Sequence, residues 1–533
     1  MELRNQKGIN IITLSVAIII LVLITSVLVY NSKDGVRIRN LKDLYNDVES
    51  LDNKIASYYI EHGDIPKLYV YNNIDFLNNA NYEEINPNDG EDYYVIDLAK
   101  LQGVTLNYGK DYSKIDHESE ADEFTDLYII NEVSHTIYYP RGVNVQGKRY
   151  YTYGEEWKKV DINIIPIETA EQFAKIGSNE DITVNGIDHK FTSDGTYVLK
   201  NDIDLSSICY KVDETTDNDK SWTPLCGNEE NAFTGKIYGN GHEIRGLYIN
   251  TKAQNQGLFG FNNGIIQNIT IEGNVTSTSN QIAGIVGLNK ENGKIINCDS
   301  KVVVTGSHII GGIAGDNYGN INNCKNYKKI EGTIENSTDG CTGGIVGFNR
   351  STGNIEKSYN EGQIIAKSNC IGGIAGVNSG IVNSSINNCI VKSNGDATGG
   401  ITGYQAQGDE AKTLNCYNLK EISNSRYTGG IIGNIIKGHV LNCYSIGIVN
   451  GTTNVKSIMG GKSPTDTVAR NNFYLNTLPT TDENATPKTM EEMKLQAFVD
   501  ILNQGQPDQP WSVDTKGIND GYPVLKWQLE ELK

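Results

Sequence analysis

The sequence predicts a mainly β protein. An N-terminal transmembrane and amphipathic helix leads into a small α+β head, and a right-handed parallel β-helix with helical caps follows. Three observations predict this. The text G-[IL]-x-G returns at Gly257, Gly284, Gly312, Gly344, Gly373, Gly400 and Gly430, with a worn copy near Gly460. The apolar runs between these anchors are short, three to five residues, and are punctuated by Gly and Asn. Residues 9–30 contain no charge.

Composition narrows the function classes. The 533 residues include 56 Gly but only 11 Pro, which indicates turns at regular intervals rather than a disordered linker. A net charge of −19 excludes the basic footprint that nucleic-acid binding needs. Seven scattered His show no metal-ligand spacing, and no cofactor is expected. Nine Cys, an odd number, leave at least one without an internal disulfide partner.

From Ile9 to Tyr30 a helix would run about 33 Å, enough for a bilayer core. Beyond it Leu41, Leu44, Val48, Leu51, Ile55 and Tyr58 fall at spacings of 3 and 4, one apolar stripe on a helix. Gly63 and Pro66 stop that helix near residue 62. The short charged leader ending Lys7-Gly8, the apolar helix from Ile9 and LDNKIASYYIEHGDIP at 51–66 resemble the type IV prepilins and pseudopilins. The resemblance implies cleavage by a prepilin peptidase between Gly8 and Ile9, N-methylation, and packing of the helix against other pilin subunits and the membrane. The family usually has Glu at the fifth mature position, where this chain has Thr13. Large tip pseudopilins resemble it in lacking that Glu, since a tip subunit would bury the carboxylate unpaired. On this reading 1–8 is the leader, 9–62 the helix and 63–160 a pilin-like head.

Half of the 30 Tyr lie between 58 and 153, in alternating segments that read as short antiparallel strands. A small sheet packed on the apolar stripe would complete an α+β head. DHESEADEFTD (116–126) reads as a solvated acidic loop; a calcium loop using Asp116, Glu118, Glu120 and Asp122 is the alternative.

The seven anchors are separated by 27, 28, 32, 29, 27 and 30 residues, a solenoid period. Short strands without 3.6 periodicity suit a parallel β-helix with one coil per repeat, spanning 165–475. Equivalent positions then stack at about 4.8 Å. Ile and Val form an aliphatic ladder, and Gly marks positive φ or close approach. Asn297, Asn323, Asn388, Asn415 and Asn442 are expected to stack, each before a ladder cysteine: Cys298, Cys324, Cys389, Cys416 and Cys443. Ser358 takes the same place in the intervening coil. Cys341 and Cys370 stand at matching places in adjacent coils and are candidates for a disulfide, as are Cys209 and Cys226.

GLFGFNNGIIQNITIEG (257–273), GTYVLKNDIDLSS (195–207), FTGKIYGNGHEIRGLYI (233–249) and INDGYPVLKW (518–527) resemble the GLUG-repeat family of bacterial surface proteins over about 165–530. The resemblance implies surface attachment. Residues 168–177 and a helix at 490–503 are the expected caps, with 476–533 as the C-terminal cap.

Glycan-active β-helices need converging carboxylates. Here Asp316 falls where other coils have Leu288, Phe348 and Val377, so no acidic pair stacks. The chain is therefore read as a non-enzyme: a minor, tip-type pilin-like protein displaying a β-helical adhesin at the cell surface. A membrane-anchored surface protein without a pilus role, and a β-helical polysaccharide lyase or hydrolase, are the alternatives. Tyr318, Tyr359, Tyr404 and Tyr427, with Tyr417 and Tyr444, are the aromatics able to meet a host or matrix glycan or protein.

Overall fold

The computed structural model describes residues 43–72, 92–111, 125–152 and 164–532, apart from breaks at 49, 60–61, 63, 102, 133–134, 146–147, 185–186, 213–218, 336–339, 407–410, 425 and 464–466. The leader, Gly8, Ile9, Thr13, the apolar segment 9–30 and the loop residues Asp116, Glu118, Glu120 and Asp122 lie outside the described residues. Among the described residues no helix is long and apolar enough to cross a membrane. The chain forms two compact units, 1–162 and 163–533.

In the first unit residues 43–48 and 50–59 are helical. Leu44, Val48, Leu51 and Ile55 are buried, as the stripe predicts. They pack on one face of an antiparallel sheet of Lys67–Val70, Tyr93–Ile96, Ile129–Asn131 and Ile137–Tyr138. Ile96, Ile130 and Ile137 point to the helix, while Val95, Ile129 and Tyr138 form a cluster on the other face, the period-2 alternation of strands. Among the described residues of the helix one carboxylate is buried, Asp47, which accepts from the backbone N–H groups of Asn107 and Tyr108 at 2.8–2.9 Å and from the Tyr128 hydroxyl at 2.9 Å. Asp126, at the end of the acidic stretch, accepts from Gly109 N, Lys110 N and Tyr139 Oη.

The second unit is a parallel β-solenoid. One coil shows the plan. Ile309–Gly311 belongs to a first strand stack, Ala314–Asn317 to a second and Asn320–Asn322 to a third. Lys325–Asn326 and Ile330–Gly332 lie in a fourth. These stacks form sheets of 7, 8, 11 and 16 strands. Eleven rungs in the third stack make a rise of about 48 Å. The three earliest rungs, Ile164–Ile167, Thr196–Leu199 and Lys236–Tyr238, lack the glycine anchor.

The interior is the expected aliphatic ladder. Ile285, Ile313, Ile345, Ile374, Ile401, Ile431 and Ile458 are fully buried in successive coils. Two further ladders are polar. Asn262, Asn289, Asn317, Asn349 and Asn378 are buried and pass amide hydrogen bonds of 2.7–2.9 Å from rung to rung. Asn326, Asn360, Asn387 and Asn418 do the same at 2.8–3.3 Å. A buried amide without a partner costs about 1–3 kcal/mol, so each column holds its neighbours in register.

The corner after the third stack is left-handed. Asn268, Asn297, Asn323, Lys357, Ser384, Asn415, Asn442 and Asn471 occupy it with φ between 50° and 58°. Asn tolerates this region better than most side chains. The next residue carries the small-residue ladder, and its members share a bond as well as a size. Cys298, Cys324, Cys416 and Cys443 donate S–H to the carbonyl two residues earlier, and Ser358 and Ser385 donate O–H to theirs. Asn388 and Cys389 do not belong here. Register pairs Glu356 with Asn383 and Asn383 with Leu414, which puts Ser358, Ser385 and Cys416 at matching places two residues on, so Ser384-Ser385 is the corner pair of that coil. Cys389 lies four residues later, where the Asn360 amide donates to its sulfur at 3.0 Å.

Both ends are closed. At the first, helix Ala170–Phe173 starts from a Thr169/Gln172 capping box, and Phe173 and Ile176 join the core beside Ile165 and Ile167. At the second, the lid is the loop 478–485: Leu478 and Ala485 pack on the core, and Asp482 accepts from Met459 N at 2.7 Å. The C-terminal helices Gln496–Asn503 and Lys526–Glu530 are not an end cap. They lie along the flank of the fourth stack, because its outward column turns apolar there. Tyr359, Ile386, Tyr417, Tyr444 and Phe473 are register partners on five successive rungs, and Phe498, Leu502, Trp511 and Trp527 cover them.

Candidate functional site

The GG-x-x-G text shapes the outside of the solenoid as well as its inside. None of the second glycines of the anchors has a left-handed φ; close approach selects them. A Cβ on Gly344, Gly373 or Gly400 would strike the carbonyl of the next rung and the side chain of Asn360, Asn387 or Asn418. The third glycine faces outward. A Cβ on Gly347, Gly403 or Gly433 would strike the first-stack backbone of the preceding coil, at Ile310, Ile371 or Thr398. The first and second stacks therefore meet at a re-entrant corner, and a V-shaped furrow runs along the rungs.

Two outward columns wall the furrow. One carries Ile309, Cys341, Cys370, Ala397 and Tyr427, of which the first four are register partners in turn and Ala397 pairs with Tyr427. The other carries Leu288, Asp316, Phe348, Val377, Tyr404 and Asn434. Val377, Cys341 and Ala397 are only 5%, 4% and 3% exposed, yet none belongs to the interior core. They are shielded by the opposing wall.

A partly buried ion pair crosses rungs at the furrow. Asp316, 1% exposed, receives Nε and Nη2 of Arg350 at 2.7 Å each. The guanidinium lies 3.7 Å from the centre of the Phe348 ring and 5.6 Å from that of Tyr318. Burial opposes the charge on Arg350, but the Asp316 carboxylate outweighs it and holds its pKa above the ordinary value. The signal for this pair was present in the sequence: an acid and a base, each out of pattern, one coil apart.

The candidate aromatics divide. Tyr404 and Tyr427 stand on opposite walls of the furrow and Tyr318 beside its ion pair. Tyr359 is half-buried on the flank and accepts from the Asn388 amide at 2.7 Å. Tyr417 and Tyr444 face outward but are sealed beneath the C-terminal helices. Their rings stack at 4.9 Å, and their hydroxyls reach Gln528 and the carbonyl of Pro523. They are not available to a ligand.

The cysteines are all thiols. Cys341 and Cys370 are register partners whose sulfurs are within hydrogen-bonding reach, and this contact together with burial holds the Cys341 thiol well above the ordinary range. Cys209 and Cys226 do not meet: Cys209 donates to Leu205 O and Gly246 O, while Cys226 packs beside Gly177. Burial pushes Cys226 up to about 12. Among the described residues no group of three or more His, Cys, Asp or Glu could hold a metal ion.

Fold and surface together define a capped parallel β-helical protein with an apolar furrow. No protein-family model matches the chain. A 122-residue stretch is 31% identical to halomucin of Haloquadratum walsbyi, covering 21% of this chain and 1% of that protein's length. A Bacteroides ovatus crystal structure assigned provisionally to the immunoglobulin A1 proteases aligns with 68% of this chain and 92% of its own, at 18% identity and a TM-score of 0.32. At that score the likeness carries no argument.

Proposed function

We propose that this chain is a minor, tip-type pilin-like protein that displays a β-helical attachment module outside the cell. The observation that carries the attachment reading is the furrow, where the partly exposed Leu288, Ile309, Phe348, Tyr404 and Tyr427 are apolar or aromatic and stand on successive rungs. Contacts repeated at about 4.8 Å suit multivalent binding to a host or matrix glycan or protein, where several weak contacts add avidity. The prepilin-like leader supports the display reading, with the prepilin peptidase, other pilin subunits and the membrane as partners. Thr13 in place of the pilin Glu fits a tip position and equally fits the second reading, a tethered surface protein without a pilus role. Catalysis is not part of the proposal, since Asp316, the furrow's one strand-column acid among the described residues, is committed to Arg350.

Mass spectrometry of the protein from cells is expected to find a methylated N-terminus at Ile9, and Gly8→Val to leave uncleaved precursor in the membrane. A surface protein beginning at Met1 would overturn the pilin reading and leave the tethered one.

A further inference from the structure

The flank that the C-terminal segment covers is not filled throughout. Between the left-handed corner row and the loop 504–510 lies a cleft of about 890 Å³. Its floor is built from two columns of the solenoid: Glu356, Asn383, Leu414, Leu441 and Arg470 are register partners on five rungs, and the corner residues follow each of them. Four rises give a length of about 19 Å, room for an oligomer rather than a single small molecule.

The chemistry of the lining is amphipathic and close to neutral. Leu414 and Leu441, partly exposed, form an apolar strip at mid-floor, and Pro507 and Pro510 face them. Around that strip stand three cations, Lys357, Arg470 and Lys526, and three carboxylates, Glu356, Asp508 and Glu530. None of the six forms an ion pair with another described residue. Opposite charges that share a cleft without pairing remain available as donors and acceptors for a ligand.

We propose that this cleft is an oligosaccharide-binding site. Sugar hydroxyls both donate and accept, which suits guanidinium, carboxylate and amide groups set around an apolar strip that takes a pyranose face. A peptide strand is the poorer occupant. Four of the five floor rungs are interior to an 11-stranded sheet, and only the last, Thr467–Arg470, is an edge strand, so strand addition could use that one rung and not the length of the cleft. The site is distinct from the furrow and stands whether or not the furrow mediates attachment.

The solenoid unit 163–533 has its own core and closes both its ends, so it can be used alone. Titration calorimetry with cellohexaose, chitohexaose and hexagalacturonate is expected to show saturable binding of at least one. Arg470→Ala and Glu530→Gln, both at exposed positions, should each weaken it about tenfold, the loss of one charge-assisted hydrogen bond, with unchanged melting temperature. Absence of binding by all three at millimolar concentration, or affinity indifferent to both substitutions, would overturn the proposal. Displacement of the sugar by an unrelated extended peptide at equal affinity would assign the cleft to peptides instead.

Discussion

Lys357 sits in the left-handed corner with φ 52°, where most coils have Asn. The rung before it shows what the exception costs. Asn297 donates to Asn268 and Asn323 donates to Asn297, but the buried Oδ1 of Asn323 faces Lys357 and has no partner. Lys357→Asn should satisfy that oxygen and suit the backbone better, raising stability by about 1 kcal/mol. By contrast Ile374→Asp, which puts an unpaired charge into the aliphatic ladder, should cost several kcal/mol. Thermal melts of 163–533 read both; equal melting temperatures for Lys357→Asn and wild type would mean the corner column carries no register energy. Legibility at this scale was uneven. The Ile ladder and the glycine close approaches follow directly from the repeat, because they recur in fixed places. Asn388-Cys389 reads like a corner but is not one: Ser384-Ser385 makes the same bend and the same bond to the carbonyl two residues back, which spelling does not reveal.

The C-terminal helices were expected as a cap and instead cover the flank. The sequence shows an amphipathic segment at 490–503 but not which surface it meets; that depends on the column Tyr359, Ile386, Tyr417, Tyr444 and Phe473, visible only once coils are in register. This element is held by Asp514 as well as by apolar contact. Burial pushes the Asp514 carboxyl up, but bonds from the backbone N–H groups of Ile518, Asn519 and Gly521 outweigh it and hold its pKa below the ordinary 3.8. The folded value is the lower one, so the stabilisation is complete above about pH 3.8 and is lost as pH falls through the folded value. Fluorescence of Trp511 and Trp527 should therefore report loosening of the flank only in strong acid. Asp514→Asn should weaken the segment by up to about 1 kcal/mol, after allowance for solvent screening, and abolish its share of that acid dependence. An acid transition unchanged by the substitution would place the linkage elsewhere.

At the scale of the molecule, the solenoid converts one short text into a long, rigid surface. Its anchors were legible because seven copies share them; its first three rungs were not marked by any anchor, and Phe173, Phe191 and Phe233 are fully buried in the core there. The furrow could not be read either, since it depends on the angle at which two stacks meet, although the third glycine of each anchor was its sign. Attachment through that furrow is the central claim, and it is tested most directly by beads coated with 163–533 and offered cells or matrix. Wild-type beads should adhere, and Tyr404→Ser with Tyr427→Ser should release them while melting as wild type does. Adhesion untouched by the paired substitution, or wild-type beads that bind nothing and instead depolymerise a polysaccharide, would contradict it.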